Sequence, residues 1–258
     1  MLATEQLQTL VPAAFATKPA DYVSDKYQFV RTIDVVDMMR DDGWHPIQAY
    51  QQNVRSDAKL ETTKHVIVMR HGQDDGSNHV ELGGLSPTFR MINSHDHSSK
   101  LLLIQELLRK VCDNGLMVHE GDSAVYNVRH DQIHEDLSTV MARYRSNASR
   151  AFETAIRWSQ VQLSPEEWLE FGRKAAQIRY GDAATEGHAR AIMQQRRAFD
   201  AGSDLFKAFN RAQENGMRGG VKAGQMTRRS RALTNIGASY KFNDELRAFA
   251  TKFASERS

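Results

Sequence analysis

Strand periodicity and helix periodicity occupy different halves of this chain. Within 64–71, His65, Ile67 and Met69 fall on one face while Val66, Val68 and Arg70 fall on the other, the two-residue period of an extended strand. Over 133–160, Ile133, Leu137, Val140, Tyr144, Ala148, Ala151, Ala155 and Trp158 recur instead at steps of three and four, the period of an amphipathic helix. Strands gathered ahead of helices point to an α+β chain.

The remaining elements fit around that division. A short helix over 5–10 stops before Pro12, and 12–30 reads as extended and loop-like. Thr32 is suited to cap a helix over 33–42, ended by Gly43. Strands over 44–54, 64–71 and 87–93 should form one antiparallel meander, because their alternation buries a single face. Ser98 or Ser99 can cap a helix over 100–112, with Leu101, Ile104, Leu108 and Val111 as its apolar stripe packed on the meander. Short strands at 116–119 and 124–128 flank a Glu120, Gly121, Asp122 turn and make an additional hairpin. Ser164, Pro165 and Glu167 are a capping-box start for a helix to about residue 179, and further helices are expected at 187–197, 203–214 and 243–254. The expected architecture is a helix, three-stranded meander, helix core over 1–131, with a basic C-terminal helical layer, 132–258, packed on it.

At 258 residues, 40% hydrophobic and 26% charged, the chain can bury a globular core. No run approaches the ~18 apolar residues of a membrane span, and the N-terminus lacks the basic-then-apolar pattern of a secretion signal. A cytoplasmic location is expected. The one cysteine, Cys112, excludes an internal disulfide framework and a Cys-based zinc cluster.

The net charge of +2 conceals an asymmetry. Residues 1–135 hold 13 Lys/Arg against 19 Asp/Glu, whereas 136–258 hold 21 against 13. The densest basic stretch, 207–231, carries Lys207, Arg211, Arg218, Lys222, Arg228, Arg229 and Arg231 against a single acid, Glu214, with Gly216, Gly219, Gly220 and Gly224 among them. Forked guanidinium donors on a glycine-bearing backbone suit a phosphate chain; a solvated surface loop has the same composition. With Arg196 and Arg197, these cations are the candidate nucleic-acid contacts, and Phe199, Phe206, Phe209 or Tyr240 the candidate stacking rings. Phe206 and Phe209 are also spaced like helix core. Asn210, Gln213, Glu214 and Asn215 either fix the glycine loop or touch a ligand.

A second polar cluster is Asn93, Ser94, His95, Asp96, His97, Ser98, Ser99, with Lys64 opening a neighbouring strand; nine of the ten histidines lie between His45 and His134. His95 and His97, joined by Asp74 or Asp75, would be the set for a divalent metal. The competing reading is a capped turn in which the histidines hydrogen-bond locally, and it implies no bound metal or other cofactor. His130 and His134 have i, i+4 spacing but lack the carboxylate of a metalloprotease helix. No nucleophile elbow, Walker A loop or dinucleotide fingerprint occurs, so three large enzyme classes fall away.

Several separate motifs together resemble the phage- and plasmid-borne family catalogued as domain of unknown function 932, from about Pro12 to Phe249. They are Val11 to Ala16; Tyr27 to Thr32; Gly43, Trp44, His45, Pro46; Thr63, Lys64, His65; Asn93 to Asp96; Cys112 to Leu116; Arg196, Arg197 and Asp200; and Phe209 to Asn215 with Gly219 and Gly220. The chain departs from that family's pattern at His97, where glycine is favoured, and at Phe206, where tryptophan is. The resemblance implies a mobile-element setting, near genes for recombination, anti-restriction or plasmid maintenance. The helix, three-strand, helix order is also similar to single-strand-annealing proteins of the Red-beta and RecT kind, in topology alone. The expectation is therefore a non-enzymatic protein that binds single-stranded DNA, promotes annealing and acts as a homo-oligomer. The alternative is a protein-binding counter-defence or plasmid-maintenance factor.

Overall fold

The computed structural model describes the whole chain save residues 25–26, 73–81, 110–114, 117–124, 128–132, 223–228 and 258. The chain divides into two compact units, one of Met1–Val80, Gly84–Leu108 and His119–Ala151, the other of Glu81–Gly83, Arg109–Val118 and Phe152–Ser258. Helices α1 (Thr4–Leu10) and α2 (Thr32–Asp41) precede strands β1 (Trp44–Gln51), β2 (His65–His71), β3 (Leu85–Asn93) and β4 (Leu102–Arg109), then the short β5 (Gly115–Leu116) and β6 (Val125–Asn127). Helices α3 (Ile133–Gln160), α4 (Pro165–Tyr180), α5 (Glu186–Ile192), α6 (Leu205–Arg218) and α7 (Ile236–Ser255) complete it. The fold is α+β.

β1, β2 and β3 form the antiparallel meander, with Ile67 opposite Met91 and His65 opposite Asn93. The odd-numbered positions of β2 and β3 face the helices: Ile67, Met69, Phe89 and Met91 pack with Leu7 of α1, with Ile33, Val36 and Met39 of α2, and with Leu137 and Val140 of α3. β1 is the edge strand, where Pro46, lacking an N–H, is tolerated, and its register slips just after that residue, between Pro46 and Gln48.

Where a helix was expected over 100–112, residues 102–109 form a strand, and 110–112 lie outside the described residues. β4 adjoins β3 in the sheet, and β6 pairs antiparallel with β4, Leu103 opposite Tyr126; of the expected hairpin, 117–124 and 128 lie outside the described residues. Seven of the eight β4 residues are buried, including Gln105 and Glu106. A leucine-rich run buried on both sides has no period that separates strand from helix, and tertiary context overrides its helical propensity. Within the sheet the buried Glu106 is satisfied: it accepts Arg90 Nε and, at 3.0 Å, Arg90 Nη2 from the adjacent strand, while Arg90 Nη1 donates to Tyr50 Oη at 2.8 Å. The order is thus a helix followed by four strands, which removes the second helix from the likeness to annealing proteins.

In the second unit, the capping box forms as expected: Ser164 N donates to Glu167 Oε2 at 2.8 Å and Glu167 N to Ser164 Oγ at 3.2 Å. Its core joins Trp158 to Phe209, ring centres 5.1 Å apart, and Phe171 to Phe249 and Phe253.

Candidate functional site

In the first unit the two-residue period of β2 and β3 places polar residues at one end of the helix-facing side. Thr32 does not cap α2; it is the first residue of that helix, fully buried, and its hydroxyl lies 2.8 Å from His65 Nε2. His65 Nδ1 is 2.9 Å from the Thr63 carbonyl, which can only accept, so Nδ1 carries the proton and Nε2 receives the Thr32 O–H. Asn93 Nδ2 donates to Thr32 Oγ1 at 3.0 Å, and His95 Nε2 stands 3.5 Å from the same oxygen. The two imidazoles are 5.3 Å apart, and Phe29 meets His95 edge-on at 4.8 Å. Burial pushes His65 down to about 4, against the opposing pull of the Thr63 carbonyl and the Asp96 charge.

The 94–99 segment is a turn into β4, where a helix cap was expected. Ser98 N donates to Asp96 Oδ1 at 2.9 Å and Ser99 N to Ser94 Oγ at 2.8 Å. Burial raises the Asp96 carboxyl, but hydrogen bonds from Ser98 and Ser94 outweigh it and the net shift is downward. The backbone of His95 is held on both sides, its N–H on Thr62 O and its carbonyl on Ala20 N, each 2.9 Å. His97, where the family pattern favours glycine, has φ +64°, so the left-handed turn is kept without the glycine. Lys64 is partly exposed at the start of the β2 run, its carbonyl accepting Gln52 N at 2.8 Å. Among the described residues, no group of three or more His, Cys, Asp or Glu is placed to hold a metal ion. Asp74, Asp75, Cys112 and His130 lie outside the described residues, as does the side chain of His134.

The basic candidates of the second unit divide into two kinds. Arg197 grips Glu214 with Nε at 3.0 and 3.1 Å and Nη2 at 2.7 Å, while Arg218 Nε reaches the same carboxylate at 3.5 Å. Arg211 lies over the Trp168 ring, 4.8 Å from its centre, and donates Nε to Asp200 O at 2.9 Å. Arg196 donates Nε to Asn215 Oδ1 and Nη2 to Gly219 O, although the residue remains exposed. Arg218, Lys222, Arg229 and Arg231 are exposed; Arg228 lies outside the described residues.

The motif around Asn215 fixes the loop. Asn215 is fully buried and its Nδ2 donates to Ile192 O and Gln194 O, both at 2.8 Å, so it ties the 192–196 segment to α6. Asn210 Nδ2 donates to Phe206 O at 2.7 Å and Gln213 Nε2 to Asn243 Oδ1 at 3.0 Å. Phe206 and Phe209 are wholly buried, Tyr240 is half-buried, and Phe199 is 42% exposed. Two arginines were missed by sequence reasoning. Arg179 donates to Gly216 O and Arg231 O, both at 2.8 Å, and so braces the basic loop from α4. Arg109 donates Nη1 to Asp200 Oδ1 at 2.6 Å and Nε to Leu82 O at 2.9 Å, beneath the Phe206 ring. Neither sits in a motif or periodic pattern that marks a partner so far away in sequence.

The family model for the domain of unknown function DUF932 matches residues 19–237. Two relatives from Escherichia coli K12, UPF0380 protein YafZ and UPF0380 protein YfjQ, are each 28% identical to this chain over 256 residues, covering 95% of it and 89% of their own length. No solved structure matches. The chain belongs to the DUF932 family.

Proposed function

We propose that this DUF932 protein binds single-stranded DNA through the exposed cations of its second unit. One observation carries the reading. Over 207–231 the sole acid is Glu214, and its side chain is 4% exposed and held by Arg197, so the described surface of this basic stretch presents positive charge without an exposed carboxylate. Phosphate attraction is sequence-independent and works through such surface cations. The buried arginine contacts act differently, by holding the loop in shape. The topological likeness to annealing proteins no longer contributes, since β4 replaces the second helix. Annealing, the mobile-element role that accompanies this reading, needs two held strands and hence a homo-oligomer, which gel filtration with and without an oligonucleotide would reveal.

The geometry reduces the number of phosphate contacts. Arg197 and Arg211 are half-buried on their internal partners, whereas Arg196, Arg218, Lys222, Arg229 and Arg231 are exposed, although Arg196, Arg218 and Arg229 also each make an internal contact. Three to five contacts give a slope of log affinity against log salt of roughly −2 to −3.5, from about −0.7 per contact on single strands. Replacing Lys222, Arg229 and Arg231 together by alanine should flatten that slope by about 2 and weaken all sequences alike. No binding by the wild type at low salt, or unchanged binding in the triple variant, would overturn the proposal and leave the protein-binding accessory role in its place.

A further inference from the structure

Of the four candidate stacking rings, Phe206 and Phe209 are lost to the core and Tyr240 is half-buried, so Phe199 is the most open to solvent. Its exposure is built in. Phe199 sits in the single 3₁₀ turn Ala198–Asp200, and both flanks of that turn are clamped. On one side Arg197 is locked on Glu214. On the other, Asp200 is 1% exposed, paired through its carboxylate with Arg109 and through its carbonyl with Arg211. A turn held at both ends by charged contacts has little freedom to fold its middle ring inward. The same segment is tied to the basic loop by Arg196, which donates to Gly219 O, and within that loop Arg229 Nη1 donates to Gly220 O at 2.9 Å. Phe199 lies three positions after Arg196, a backbone span of at most about 11 Å. An apolar ring fixed outward within a few nucleotides' length of exposed cations has the two parts that a single-strand groove requires, a stacking platform and phosphate contacts.

We infer that Phe199 is a base-stacking residue of this site, taking the face of one unpaired base while the phosphates beside it meet Arg196, Arg218 and Arg229. The inference rests on the single-strand reading and sharpens it: a duplex keeps its bases stacked inside, so the ring favours single strands over double.

The test compares wild type, Phe199→Ala and Phe199→Trp for binding to a fluorescein-labelled thymidine oligonucleotide and to the same oligonucleotide made abasic throughout. The alanine variant should bind the normal strand on the order of 5- to 100-fold more weakly, the range that loss of one stacked base gives, with an unchanged salt slope because no cation is removed. The tryptophan variant should bind at least as well as wild type, and on the abasic strand all three should agree. Equal affinities of wild type and alanine variant on the normal strand, with wild-type binding intact, would refute the stacking role alone. An equal loss on both strands would show a structural effect and refute it too. Absence of wild-type binding to either strand would refute the single-strand reading and this inference together.

Discussion

His65 and Thr32 form a hydrogen bond that no cap rule foresees, and the burial behind it has a pH signature. The imidazole stays neutral in the folded protein down to about pH 4, whereas in the unfolded chain it takes a proton near its ordinary value of ~6.5. Between those values the unfolded state binds more protons, so the contribution is complete above pH 6.5 and is lost as pH falls toward 4. At ~1.4 kcal/mol per unit the loss amounts to about 3 kcal/mol. Urea unfolding at pH 7.5 and 4.5 should show wild type losing more stability on acidification than His65→Asn, which has no proton to gain. Equal losses in the two proteins would show that His65 does not drive the change. His97 makes the complementary point, since its φ of +64° is a position glycine occupies without strain and an imidazole occupies at a cost.

Among the elements, the end of α6 shows why two glycines close the helix. Gly219 has φ +61° and ψ −146°, backbone values open almost solely to glycine, and a Cβ there would lie 2.5 Å from the carbonyl carbon of Arg231. Gly181, after α4, has nearly the same backbone, φ +60° and ψ −139°, yet a Cβ would meet nothing within 4 Å. Gly181→Ala should therefore cost only the backbone strain of about 1–3 kcal/mol. Gly219→Ala should cost more and should also shift the strand of chain bearing Ser230 and Arg231. Thermal melts of the two variants side by side check the ranking, and a smaller loss at Gly219 would contradict it. β4 illustrates the opposite case, an element whose local preference was for helix and which is held as a strand by its neighbours β3 and β6 in the sheet.

At the scale of the whole molecule, each unit has its own core and the second also holds a buried charge pair. Arg109 and Asp200, both 1% exposed and 91 residues apart, are joined at 2.6 Å. Removing one charge from such a pair strands the other in a low-dielectric site, a cost of about 3–5 kcal/mol. Asp200→Asn should lower stability by that order, read as a lower denaturant midpoint in the fluorescence of a Trp44→Phe background, where only Trp158 and Trp168 of this unit report. Since Asp200 also anchors the turn of Phe199, the same variant should loosen the proposed stacking platform. A midpoint within experimental error of wild type would show that the pair is not a principal support. No helix among the described residues is long and apolar enough to cross a membrane, in keeping with the absence of long apolar runs.

The sequence by itself determined the α+β class, the three-strand meander, α3 to its ends and the capping box of α4, because each rests on a period or a cap written in neighbouring residues. It also marked Asn210, Gln213, Glu214 and Asn215, leaving open whether they bind or support. Tertiary structure decided that question, and it decided β4, the Thr32 to His65 contact and the outward setting of Phe199. Several of these turn on which distant side chain satisfies a buried charge or hydrogen bond: Arg90 for Glu106, His65 for Thr32, Arg197 for Glu214, Arg109 for Asp200. Those partners lie 16 to 91 residues apart, and no local pattern encodes a pairing across such a separation.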